Sequence, residues 1–393
     1  MWHLFIDINW FEWLIIAILG IALVYQVFYY AYYVGALRCK TAALKDRCAE
    51  RPPSAVGPAS PARSPVTVVV SAKNEEEHLE EYLHSLLSQD YPIYEVIVVN
   101  DGSIDHTEEV LARYMKQDFK LRTTFVPVNA RVMSTKKLAL TLAAKAAKYD
   151  YLLLTDADCR PESPDWISQM MSGFSDPNID IVIGYGAYFE EDSFINEWIQ
   201  YDTQFNALHF LGAALRHQPY MGVGRNLAYR KSCFLESGGF SHLMETRAGD
   251  DDLFVNKVAN KTNTAVVTSQ ESVTWSKAKT NWKSWVEQKR RHLSVSPLYK
   301  TQTKWHLFIE PFTRGLFYAS SIVGLVLGGP LLCGIIFVVL WVRLAVMLAF
   351  INSATREWKH PRWGIEILFY DITMPLVQAY LMATKWKYKG NRW

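Results

Sequence analysis

From Trp13 to Leu37 the chain carries no charged side chain. A helix rises about 1.5 Å per residue, so roughly twenty such residues span a bilayer core. Asp7 and Glu12 precede this stretch, and Arg38, Lys40, Lys45 and Arg47 follow it. The positive-inside rule therefore puts the N-terminus outside and everything after Arg38 in the cytoplasm. A cleaved signal peptide fits poorly, because the leading residues are acidic and the apolar run is long. A second uncharged block runs from Gly315 to Val342, interrupted by Gly328-Gly329-Pro330. That break predicts a helical hairpin, about 305–327 out and about 331–351 back.

Three charged residues belong to this hairpin. Glu310 and Arg314 are spaced i, i+4 and can pair on one helix face. Arg343 sits inside the returning helix, near their level. Charge at such depth faces protein, a cavity or a partner. Two readings stand: the cytoplasmic end of an acceptor passage, or arginines that snorkel to the interface. The last segment, about 364–384, contains Glu366, Asp371 and Pro375. Arg356, Lys359 and Arg362 lie before it, and Lys385, Lys387, Lys389 and Arg392 after it. Cationic flanks on both sides favour an interfacial helix, with a third crossing as the alternative.

The middle of the chain follows another rule. Residues 41–65 are rich in Ala, Pro, Ser and Arg without periodicity, which reads as a linker. Val66–Val70 and Glu95–Val99 read as buried strands, and so does Tyr151–Thr155. Thr123–Val128 is a candidate for another strand. Helical patterns at Glu75–Gln89, up to about Met115, and at Lys136–Lys148 alternate with them. That order predicts an α/β domain with a parallel sheet covered on both faces. Ligands of such sheets sit at the carboxyl ends of the strands. Asn74, Asp101 and Asp156 all fall there.

Asp156-Ala157-Asp158 closes the Tyr151–Thr155 strand. Two alternating carboxylates are hard oxygen ligands, suited to Mg²⁺ or Mn²⁺ carrying a diphosphate. Cys159 is too soft for that role. The five cysteines show no CxxC spacing, so neither a structural zinc nor a disulfide framework is expected. With 41 basic and 39 acidic residues, no basic run singles out nucleic acid as a partner. Lys136 and Lys137 open a helix where cations oppose the dipole, which invites an anion nearby. Asp250-Asp251-Asp252 sets three carboxylates side by side. Their repulsion raises the proton affinity of one, as a general base needs, though an acidic helix cap reads equally well.

Taken in order, the segments VTVVVSAKNEEEHLEEYLHSL, EVIVVNDGSIDHT, KKLAL, TDADCR, GVGRNLAYRKS, GGF, GDDDLFV and QKRRH carry a resemblance. Over roughly residues 66–292 the chain resembles the membrane-bound, inverting glycosyltransferases of family 2, similar to polysaccharide synthases and ceramide glucosyltransferase-like members. The resemblance implies a GT-A (Rossmann-like) nucleotide-sugar-binding domain between membrane segments at 1–40 and 293–393. It implies that Asp101, with Asn74 and Glu75, receives the uracil and ribose of a UDP-sugar. Lys136 and Lys137 would contact its diphosphate, Asp156 would hold the nucleotide sugar, and Asp158 would bind the metal. Asp251 would be the base and Asp250 its acidic partner. Gln288 and Arg291 match a Gln-x-x-Arg-Trp motif near the diphosphate and acceptor, with Arg290 between them. His292 departs from its tryptophan, which weakens a processive reading. Arg225 and Asn226 are expected in the cleft, and His242 beside it. The implied activity is metal-dependent, inverting transfer to a lipid-linked or glycan acceptor, with the domain cytoplasmic at a bacterial inner membrane. A processive polysaccharide synthase is the alternative enzyme, and an inactive nucleotide-sugar-binding scaffold the alternative of another class.

Overall fold

The structure, a computed structural model, describes residues 9–40, 64–127, 134–246 and 248–387. Most of the expected linker, with Lys45 and Arg47, lies outside them, as do Lys389 and Arg392. Among the described residues, ten strands form two sheets. The larger holds β1 (Val66–Ala72), β2 (Tyr94–Asn100), β3 (Leu121–Phe125), β4 (Tyr151–Asp156), β6 (Ile181–Ile183), β8 (Leu227–Arg230) and β9 (Thr264–Val266), in the order β3-β2-β1-β4-β8-β6-β9. The smaller holds β5 (Cys159–Pro161), β7 (Gly186–Tyr188) and β10 (Thr274–Ser276), with β10 in the centre.

The pairs among β1, β2, β3 and β4 are parallel, as the alternation of strands and helices predicts. The sheet is nevertheless mixed rather than purely parallel. β8 pairs antiparallel with both β4 and β6. Nothing in its four residues announces that direction.

Burial on both faces explains the unbroken apolar runs. Val68 and Val70 join a core with Leu79 and Leu83 of helix Glu76–Leu87, Val110 of helix Thr107–Gln117, and Trp166 of helix Trp166–Ser172. Val69, Leu152 and Leu154 point the other way, onto Ala139 and Ala143 of helix Thr135–Ala146 and onto helix Phe194–Leu215. That last helix starts at Ser193, whose side chain accepts from the Asn196 N–H at 3.2 Å. It is buried nearly all round, as a helix between two layers must be.

Its outer side meets the terminal helices. Leu344, Met347, Tyr370 and Met374 belong to the same apolar cluster as Val69 and Leu208. The α/β domain and the apolar helices therefore share one continuous core. Among the described residues, three helices are long and apolar enough to cross a membrane, at Trp10–Lys40, Pro330–Trp358 and Ile367–Thr384. Helix Thr301–Leu327 completes the hairpin with Pro330–Thr355. Lys304, Glu310 and Arg314 make its first half more polar. Glu12 accepts from the Gly329 N–H at 2.7 Å, so the hairpin turn sits beside the start of the first helix. At the other end of that helix, the Lys40 ammonium donates to the Val266 carbonyl of β9.

The hairpin charges take neither expected course. Arg314 reaches Asp371 Oδ1 at 3.2 Å and Glu310 Oε2 at 3.3 Å. Arg343 donates to the other oxygen of Asp371 and is buried, its side chain 2% exposed. Tyr318 also donates to Asp371, and Gln26 joins from the first helix, its Oε1 3.3 Å from Arg343 Nη2. A carboxylate from the last helix thus closes the cluster, which neither snorkels nor opens onto a passage.

Candidate active site

β1 turns to β2 on one side and borders β4 on the other, so a switch point lies between β1 and β4. Register places Ala72 beside Asn100 and Ser71 beside Asp156 at the carboxyl edge. The polar strand ends therefore share one rim. Asn74 takes a left-handed φ of 56° and stitches that rim together. Its N–H donates to Ser103 Oγ at 2.9 Å, and its Oδ1 accepts from the Ile104 N–H at 2.8 Å. Asp101 is 4% exposed, accepts from Thr135 Oγ1, and has Lys73 at 3.7 Å. Burial raises its proton affinity, against the pull of Thr135 and Lys73. Burial also raises Glu75, opposed by a 2.6 Å contact with His78 and reinforced by the charges of Asp158 and Asp156.

Asp156, Asp158 and Cys159 bring one ligand atom each within 4.8 Å of one another. The two carboxylates are half-exposed and supply hard oxygens, a donor set that fits Mg²⁺ or Mn²⁺. Burial, then the negative charge of Asp158 and Asp156, pushes the Cys159 thiol well up. A thiol is also a soft donor, less suited than the two carboxylates to Mg²⁺ or Mn²⁺.

Lys136 connects this floor to the acidic turn. Its ammonium lies 2.8 Å from Asp156 Oδ1 and 3.3 Å from Asp250 Oδ2. A small cavity beside it is lined by Thr155, Asp156, Gly224, Asp250 and Asp251. Asp251 Oδ2 accepts from the Gly224 N–H at 2.8 Å, and its Oδ1 from the Asp252 N–H at 2.7 Å. Burial and then the neighbouring Asp250 raise its proton affinity. Asp250 goes the other way: burial opposes ionisation, but Lys136, Lys137 and Arg291 together hold it below the usual range. Asp252 is pushed up to about 7 by burial and by Asp251. Two of the three carboxylates thus carry the raised affinity expected of one.

Several expected site residues stand elsewhere. Lys137 is completely buried, its ammonium bound to Thr246 O, Thr246 Oγ1 and Ala248 O at 2.6 to 2.8 Å. One residue from Lys136 on a helix is a turn of about 100°, so the pair cannot face one anion. Lys137 instead locks the segment leading into Asp250. Asn226 is also completely buried: its amide donates to Tyr185 O and Ser272 O, and its Oδ1 accepts from Trp166 Nε1. It is a packing element under the cleft. Arg290 points to the last helix, where it donates to Thr384 Oγ1 at 3.2 Å and Tyr380 Oη at 3.0 Å. His242 lies 3.2 Å from Lys257, outside this cluster.

Arg225 stays near the acids but is clipped to the small sheet. It donates to Gly186 O, Ala187 O and Ser276 Oγ, and its guanidinium lies 4.2 Å above the Tyr188 ring. Gln288 donates to Tyr188 Oη at 3.4 Å. Tyr188, Thr135 and Tyr299, whose hydroxyl donates to Asp252 Oδ2, are the parts that sequence reasoning did not assign. Each acts through a contact distant in sequence, and no local pattern marks them.

Residues 67–236 match the family described as Glycosyl transferase family 2. A poly-beta-1,6-N-acetyl-D-glucosamine synthase of Staphylococcus epidermidis is 37% identical over 93 residues, 24% of this chain and 21% of that one. The enzyme of the same name from Staphylococcus aureus strain COL is 26% identical over 181 residues, 44% of this chain and 41% of that one. The chain thus covers less than half the length of either relative. A mannosyltransferase from Pyrobaculum calidifontis, solved with GDP-Man and Mn²⁺, superposes with a TM-score of 0.53 at 19% identity, over 86% of this chain and 98% of that one. Its likeness extends to the fold. Over residues 67–236 the chain is similar to family 2 glycosyltransferases, and it shares the GT-A fold, set between apolar helices at both ends.

Proposed function

We propose that this chain transfers a sugar from a UDP-sugar to a hydroxyl of a lipid-linked or glycan acceptor at the membrane, with inversion and with a divalent metal. One observation carries the reading: the Lys136 ammonium bridges Asp156 and Asp250, joining the donor floor and the acidic turn into one site. Asp101, Asn74 and Glu75, at the β1/β2 end of the rim, would receive the base and ribose. Asp156 and Asp158 would hold Mg²⁺ or Mn²⁺, which neutralises charge on a leaving diphosphate.

Asp251 is the base in this reading. Its two oxygens are fixed by backbone N–H groups, which orient the remaining lone pairs. It takes the proton of the acceptor hydroxyl as that oxygen bonds to the anomeric carbon. The bond from that carbon to the diphosphate breaks on the opposite face, and its electron pair leaves with the diphosphate oxygen. Lys136 and Arg291 contribute positive charge beside Asp250. The basic residues after the first helix, Arg38 and Lys40, support a cytoplasmic domain.

The test is nucleotide release by the purified full chain, with Mn²⁺ and a panel of UDP-sugars plus GDP-Man. Asp251→Asn is expected to slow release about a hundred- to ten-thousand-fold, the range for a lost general base. Asp158→Ala is expected to abolish dependence on added metal together with activity. Wild-type rates in both variants would overturn the assignments. The names of the Staphylococcus relatives favour a second reading, a polymer product. Product length on a gel separates it from single transfer. Nucleotide binding without release across the panel would leave only the scaffold reading.

A further inference from the structure

The helix that follows the proposed base is held by the segment entering the helical hairpin. Tyr299 Oη donates to Asp252 Oδ2 at 2.5 Å. The Lys300 N–H donates to Asn256 Oδ1 at 3.0 Å, and Asn256 Nδ2 donates to Thr303 Oγ1 at 3.0 Å. Asp252, Asn256 and Thr303 are all buried, so these bonds are shielded from competing water. Thr303 lies in the first turn of helix Thr301–Leu327, which continues to Glu310 and Arg314.

The grip reaches the base in one step. The Asp252 N–H donates to Asp251 Oδ1 at 2.7 Å. Asp252 Oδ1 is already engaged by the Leu253 N–H at 2.7 Å. The other carboxylate oxygen is therefore the handle by which a neighbouring element can fix this residue, and Tyr299 occupies it. An acidic helix cap alone would need no such partner.

We infer that Tyr299 is a positioning residue for Asp251: acting through Asp252, it ties the base to the first turn of the hairpin helix. This rests on the reading of Asp251 as the base. Motion of the hairpin helix would then change the aim of the base without disturbing the donor floor, which is built from β1, β2 and β4.

The test uses the full chain in lipid nanodiscs, with kcat, donor KM and melting temperature measured together. Tyr299→Phe removes one oxygen and keeps the ring. It is expected to lower kcat about tenfold, the equivalent of one lost hydrogen bond to a charged group. Donor KM should stay within about twofold, since the donor floor is untouched. Thr303→Val, which removes the second grip, should show the same split to a smaller degree. It also serves if Tyr299→Phe does not fold. Wild-type kcat in both variants, or matched losses in kcat and donor KM, would overturn the inference. Asp251→Asn separates the two claims. If it is inactive while Tyr299→Phe is normal, only the positioning role fails. If it turns over normally, the base assignment itself fails.

Discussion

At the scale of single residues, position and environment divide labour among similar side chains. Lys136 and Lys137 are adjacent, yet one bridges Asp156 to Asp250 and the other is sealed against Thr246 and Ala248. Asp250, Asp251 and Asp252 are adjacent, yet cations hold the first low while burial raises the other two. A base must be ionised to work, so activity falls as pH drops through its folded-state value. That value stands above the ordinary carboxylate range, around 4 for free aspartate. The acid limb of kcat/KM is therefore expected above the range of an ordinary aspartate, because burial and the neighbouring Asp250 raise Asp251. A limb centred at or below about pH 4 would contradict the raised affinity of Asp251.

At the scale of elements, the acidic turn is shaped by what anchors it. Gly249 takes φ of +95°, a conformation side chains rarely adopt, and an added Cβ would meet Leu253 Cδ1 at 2.5 Å. Gly249→Ala must therefore shift the turn or the helix Asp252–Val258 behind it. We expect a loss of about 1–3 kcal/mol in stability together with a fall in kcat. Chemical denaturation and turnover on the same preparation check this, and a variant that is normal in both would show that the turn relaxes freely. The strand-to-helix alternation of β1 to β4 was legible because both faces are buried and the runs are long. β8 was not legible, because four residues record burial but not direction. Helix Phe194–Leu215 escaped for a related reason: buried nearly all round, it has no polar face to give it a period.

At the scale of the molecule, the apolar helices and the α/β domain are one packed body. Arg314 lies thirteen residues before Leu327 and Arg343 thirteen after Pro330. Both are thus about 20 Å from the hairpin turn at 1.5 Å per residue. Asp371 meets both at that depth, and Tyr201 of helix Phe194–Leu215 donates to it at 3.3 Å. The ion cluster therefore joins the hairpin, the last helix and the α/β domain. Arg343→Leu leaves Asp371 with one cation instead of two in a dry site. It is expected to cost about 3–5 kcal/mol, the usual penalty for breaking a buried pair. A lowered melting temperature in detergent checks it. Unchanged melting would mean that Arg314 alone satisfies the carboxylate.

The sequence by itself determined which segments are apolar enough for a membrane, which strands alternate with helices, and which carboxylates end them. These follow from periodicity and strand-end chemistry, which are local. It also set Asp156, Asp158 and Asp251 apart, through residue type and motif order. Only the tertiary structure decided that Lys136 faces the acids while Lys137 does not, that Arg290 and Asn226 serve packing, and that Asp371 closes on Arg314 and Arg343. Each of these depends on which way a side chain points from a helix, and on partners scores of residues away. Such choices are settled by the packing of whole elements, which no local pattern records.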